Sequence, residues 1–155
     1  NKFNYRMIYY FAYGSNMSLN RMHARGCKIN SSNRGILQDH KLVFNKKSSK
    51  FRNTGFANVI PNPGTDVEGV LYEIDDSDIL KLDKWEGSPN HYKRIVKNIL
   101  TEVGIKEAYV YIASSEWISE GLKPSKSYIK YLLDGKLYLT QSYFNYLRNI
   151  ETTTQ

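Results

Sequence analysis

Apolar and polar positions along this chain alternate between strand-like and helix-like periods. Met7–Tyr13 (MIYYFAY) is an unbroken apolar and aromatic run, the length of a strand buried on both faces. It stops at Gly14-Ser15-Asn16, residues that favour turns and helix caps. Ser18–Arg25 has helical character, with Leu19 and Met22 three apart. Ile36–Phe44, Gly55–Ile60 and Val67–Ile74 read as strands, and Pro61-Asn62-Pro63-Gly64 predicts a turn between the last two. Gly69, inside the third of these, predicts a bulge or the close approach of another backbone. Tyr92–Leu100 and Lys106–Ala113 predict a hairpin across Thr101–Ile105, with Tyr109 and Tyr111 on one face. Further helices are expected after caps at Asp75, Asp76 or Ser77, after Lys123-Pro124-Ser125, and after Thr140. In the last, Tyr143, Leu147 and Ile150 form the inner stripe, and Glu151–Gln155 reads as a frayed polar tail. With no repeat and no linker, a single domain is expected over residues 1–155.

One position breaks its helix pattern. Ile79, Leu82 and Glu86 stand at spacings of three and four, so a carboxylate occupies the apolar face. Glu86 also sits in the last turn before Gly87, a helix stop. Burial and the negative helix end both disfavour its ionised form and raise its pKa, which makes it a candidate general acid/base. The plainer alternative is a helix-end glutamate turned to solvent. Asp83, nearer the polar side, reads as a solvated charge. The Gly14 turn has a similar pair of readings. Its unpaired backbone N–H groups can cup a carboxylate or an oxyanion, or the turn is an ordinary capped entry to a helix.

Composition narrows the classes. An apolar fraction of 41% and an aromatic fraction of 14% exclude a disordered chain. Thirteen tyrosines imply core or pocket walls whose hydroxyls need partners. The net charge of +7 permits anionic partners, and Asn45–Asn53 (NKKSSKFRN) is basic with phenylalanines around it. No second basic stretch continues that track, so it reads as a solvated hairpin loop and no nucleic-acid partner is expected. Cys27 stands alone, and His23, His40 and His91 lack ligand spacing, so neither a disulfide nor a metal is expected. Nothing approaches transmembrane length, and the run after Lys2 and Arg6 is too short for a signal peptide, which points to a cytoplasmic protein without membrane partners.

Two separated signals then coincide: YFAYGSNM at Tyr10–Met17 and LDKWEGSPNHYKR at Leu82–Arg94. Together they resemble the γ-glutamylcyclotransferase family, and the likeness continues through GVLYEI at Gly69–Ile74 and PSKSY at Pro124–Tyr128. The resemblance implies an α+β fold, a small mixed β-barrel flanked by helices, with substrate at the barrel mouth. It implies release of 5-oxoproline from a small γ-glutamyl substrate, without cofactor or metal, with Glu86 as the acid/base. Tyr10, Phe11, Ala12, Tyr13, Gly14, Ser15 and Asn16 would line the substrate site, and Tyr92, Tyr111 and Tyr128 would wall it. Members of the family are often homodimers. γ-Glutamylamines, a γ-glutamyl biosynthetic intermediate, or binding without catalysis are the alternatives.

Overall fold

The computed structural model describes residues 6–153. Five strands close into a barrel in the order β1-β3-β2-β4-β5, and four α-helices flank it. The strands are β1 (Met7–Ala12), β2 (Ile29–Lys47), β3 (Gly55–Asp75), β4 (Tyr92–Thr101) and β5 (Gly104–Ala113). The helices are α1 (Leu19–Ala24), α2 (Asp78–Glu86), α3 (Lys126–Leu133) and α4 (Gln141–Arg148). Closure mixes directions: β1 runs antiparallel to β3 and parallel to β5. It thereby removes the unpaired edges that an open sheet would expose.

Two of the expected strands are one. β3 continues from Gly55 to Asp75 through Pro61-Asn62-Pro63-Gly64 instead of turning there. The register passes from His40–Pro61 to Gln38–Asp66, so residues 62–65 swell outward opposite Asp39. Asp39 adopts φ +58°, Gly64 adopts φ +84°, and the Gly64 N–H donates to Asp39 Oδ1 at 2.9 Å. The turn residues serve a bulge, where prolines need not donate to the ladder.

β2 is also longer than expected and absorbs Asn45–Lys47 from the basic segment. An extra residue between Val43 and Lys46 re-aims the strand end. Lys46, expected in a solvated loop, is consequently 4% exposed. The tail differs as well, because the Thr153 N–H donates to Pro124 O at 2.9 Å and Lys123 pairs with Glu151. Residues 154 and 155 of that tail, like Lys2, lie outside the described residues.

The core explains two glycines. Gly35 and Gly69 are partners across β2 and β3, and the Phe11 ring lies against both. A Cβ on Gly69 would fall 2.3 Å from Ala12 O and 2.8 Å from Phe11 Cζ, which is the close backbone approach expected of it. This contact seats the end of β1, from which the candidate site begins.

Candidate active site

β1 ends at Ala12, and after Tyr13 and Gly14 the chain tightens into a 3₁₀ turn over Ser15–Met17, all buried. Met17 N–H is the first to bond inside that turn, to Gly14 O at 3.0 Å. The N–H groups of Ser15 and Asn16 head the turn with no acceptor inside it. Ser18 then caps α1 by accepting from the Arg21 N–H.

Asn16 organises what surrounds the turn. Its Nδ2 donates to the Tyr10 hydroxyl at 2.9 Å, and its backbone oxygen accepts from the Tyr72 hydroxyl at 2.7 Å. Its Oδ1 accepts from Arg25 Nη1 at 3.0 Å, and the same nitrogen donates to Glu86 Oε2 at 2.8 Å. One guanidinium therefore ties the end of α2 to the YGSN turn.

Glu86 reaches that position because α2 buries Ile79 and Leu82 on the face it shares. Gly87, at φ +62°, stops the helix, and Ser88 N–H returns to Asp83 O at 2.9 Å. The Glu86 side chain is 15% exposed and that of Arg25 10%. Burial raises the Glu86 pKa above the usual carboxylate value, while Arg25, Arg21 and Lys46 pull it back only in part. In Arg25→Met the Glu86 carboxyl is expected to titrate at higher pH than in the wild type, followed by carbon-detected NMR. An unmoved titration would show that the ion pair does not set its charge.

Tyrosines close the inner wall. The Tyr92 hydroxyl donates to Ala57 O at 2.8 Å, and the Tyr128 hydroxyl accepts from Ala57 N–H at 3.1 Å. Both thus pin one residue of β3. The Tyr111 hydroxyl donates to Asp83 Oδ1 at 2.7 Å, and the Tyr13 hydroxyl donates to the Tyr111 carbonyl. Burial pushes all these phenols up, Tyr128 to about 12, so near neutral pH they are neutral walls.

These residues enclose a cavity of about 30 Å³, lined by Tyr10, Tyr13, Gly14–Asn16, Ala57, Glu86, Tyr92, Tyr111 and Tyr128. It shares Ser15, Glu86, Tyr92 and Tyr128 with an outer cleft of about 400 Å³. Phe11 and Ala12 are not part of this lining. Alternation along β1 turns the Phe11 ring away from the Tyr10 face and onto the paired glycines, while Ala12, 1% exposed, has its carbonyl oxygen against Gly69.

Asp83 is not the solvated charge its position suggested. It accepts from Arg94 Nε at 2.9 Å and Nη2 at 3.1 Å, besides the Tyr111 hydroxyl. Asp83→Ala strands both donors and is expected to cost about 2 kcal/mol in a urea melt. A loss within a few tenths would show the cluster to be idle. Arg25, Lys46 and Ala57 were not anticipated either. Arg25 and Glu86 lie 61 positions apart, a pairing that no local spacing announces. Among the described residues, no group of three or more His, Cys, Asp or Glu could hold a metal ion. Among them, too, no helix is long and apolar enough to cross a membrane.

A largely buried carboxyl side chain, the arginine that holds it and a tyrosine-walled cavity thus lie together beside the Gly14–Asn16 turn. Residues 10–130 match the family described as gamma-glutamyl cyclotransferase, AIG2-like, and the chain belongs to that family. A gamma-glutamylcyclotransferase from Mus musculus is 31% identical over 149 residues, which cover 92% of this chain and 78% of that one. Its Bos taurus counterpart is 38% identical over 81 residues, half of this chain and 43% of the bovine protein's length. The match thus spans less than half of that relative. A solved gamma-glutamyl cyclotransferase structure superposes with a TM-score of 0.83 at 29% identity, covering 97% of this chain and 91% of the other.

Proposed function

We propose that this chain is a γ-glutamylcyclotransferase with Glu86 as its single acid/base. The observation that carries the reading is that Glu86 and the Gly14–Asn16 turn line one small cavity that opens on the outer cleft, joined through Arg25. In the reaction, Glu86 takes a proton from the substrate's α-ammonium group. The freed amine attacks the γ-carbonyl carbon, and the C–N bond of the ring forms. Negative charge gathers on the carbonyl oxygen and is met by the Ser15 and Asn16 N–H groups, which head the turn and have no acceptor within it. The bond to the departing nitrogen then breaks as Glu86 returns its proton there, and the second proton of the ring nitrogen passes through the same carboxylate to the released amine, which leaves as an ammonium ion. The products are 5-oxoproline and an amino acid or amine.

Magnitudes favour this economy of parts. An intramolecular nucleophile held near its target can recover roughly 7–11 kcal/mol of the barrier. One donor to a developing oxyanion adds about 3–4 kcal/mol. Tyr10, Tyr13, Tyr92, Tyr111 and Tyr128 shape the folded substrate and exclude water. Their raised pKa values leave proton transfer to Glu86. Incubation with γ-glutamyl-alanine and chromatography of the products tests the reading. Equal amounts of 5-oxoproline and alanine are expected. Free glutamate in place of 5-oxoproline would mean that water, and not the substrate amine, attacks.

A further inference from the structure

The outer cleft carries more positive charge than proton transfer needs. Arg21, Arg25, Lys46 and Lys84 line it, against Glu86 as its one carboxylate. Arg25 answers Glu86, and among the described residues the other three enter no ion pair. Arg21 lies over the Tyr131 ring at 4.3 Å, and its Nε is buried without a hydrogen-bond partner.

Lys46 is the most unusual of the set. Its Nζ meets His91 Nδ1 at 2.7 Å and lies 4.4, 5.6 and 5.7 Å from the ring centres of Trp117, Tyr92 and Phe56. An ammonium has three donors, and among the described residues His91 is the acceptor this one meets. Burying a cation in an aromatic box is costly when the nearest carboxylate, Glu86, acts on it only across the cleft and forms no direct ion pair with it. An anion arriving in the cleft would relieve that cost and the repulsion between Arg21 and Arg25.

We propose that the outer cleft reads the leaving half of the substrate by negative charge, with Lys46 as the specificity-determining residue. Conjugates of acidic amino acids, whose leaving half brings two carboxylates, are then preferred to those of neutral amino acids, and these to simple γ-glutamyl amides. The inference rests on the γ-glutamyl reading above and extends it to the other half of the molecule. Three cations remain once Arg25 is committed, so a leaving glutamate is matched better than a leaving alanine or ethylamine.

The test compares γ-glutamyl-glutamate, γ-glutamyl-alanine and γ-glutamyl-ethylamide on wild type and Lys46→Met, with free glutarate titrated against tryptophan fluorescence in both proteins. Trp117 stacks on His91 at 4.0 Å beside Lys46 and reports occupancy whether or not turnover occurs. Methionine keeps the stem volume within the aromatic box, so the variant is expected to fold. In wild type, kcat/KM is expected to fall about tenfold for each carboxylate removed. Lys46→Met should compress the ratio between the acidic substrate and the ethylamide about tenfold, chiefly through KM, and weaken glutarate binding to match. Equal use of the three substrates, or a ratio and a glutarate affinity indifferent to Lys46, overturns the proposal. Absence of 5-oxoproline from every substrate, with Lys46-dependent glutarate binding retained, overturns the reaction instead and leaves the anion seat standing.

Discussion

Glu86→Gln is expected to give a folded protein whose 5-oxoproline release is slower by about 10²–10⁴-fold. Glutamine keeps the volume at the end of α2, and its amide oxygen can still accept from Arg25 Nη1, which now bonds Glu86 Oε2 at 2.8 Å. What it loses is the ability to take and return a proton. Arg25 keeps a hydrogen bond but loses its counter-charge, so a lower thermal midpoint is expected, and the activity is compared at a temperature where circular dichroism shows the variant folded. One neighbour could contest the assignment. Burial lowers the Lys46 ammonium to about 8, so a fraction of it is neutral near physiological pH. Wild-type turnover in Glu86→Gln, together with loss in Lys46→Met, would transfer the proton to that amine and refute the role given to Glu86.

Gly69→Ala is expected to produce the largest loss of stability. The new methyl group would need to occupy space 2.3 Å from the Ala12 carbonyl oxygen and 2.8 Å from Phe11 Cζ. The oxygen belongs to the β1–β3 ladder, where Ala12 faces Val70, so it cannot swing away as a side chain could. A cost at or above the upper end of the overpacking range, about 3 kcal/mol, follows. For a domain of this size that lowers the thermal midpoint by roughly 6–12 °C. Ala12 leads directly into Tyr13 and Gly14, so activity should fall in the residual folded protein as well. Gly64→Ala is the control, since φ is +84° there but nothing lies within 4 Å of the added carbon. Its expected cost is the left-handed strain alone, about 1–2 kcal/mol. Equal melting curves for the two variants would refute the packing argument.

Features set by neighbouring residues are legible in the sequence. The inward placement of Glu86 followed from the spacing Ile79, Leu82, Glu86 and from Gly87 as a stop, all within nine residues of one helix. Gly69 and the β4–β5 hairpin were equally local. Closure of the barrel was expected only through the family likeness, since the pairing of β1 with β5 joins Tyr10 to Tyr109 and leaves no trace in periodicity. The same limit hid Arg25, Lys46 and the partners of Asp83, whose hydrogen bonds span long stretches of chain. The Pro61–Gly64 signal departs from its local meaning for a different reason. Turn chemistry was correctly present, but Asp39 across the ladder converts it into a bulge within one strand. A contiguous motif does not tell which of its side chains face a cavity: Tyr10 lines it, and alternation turns Phe11 away.

Glu86 is hard to ionise where it sits, and the pH dependence of kcat/KM for γ-glutamyl-alanine, which reports the free enzyme, tests this most directly. Burial outweighs the three cations around Glu86, so activity is expected to rise through an acid limb centred above the usual carboxylate value of 4.5. An acid limb at or below that value, or none at all, would contradict it.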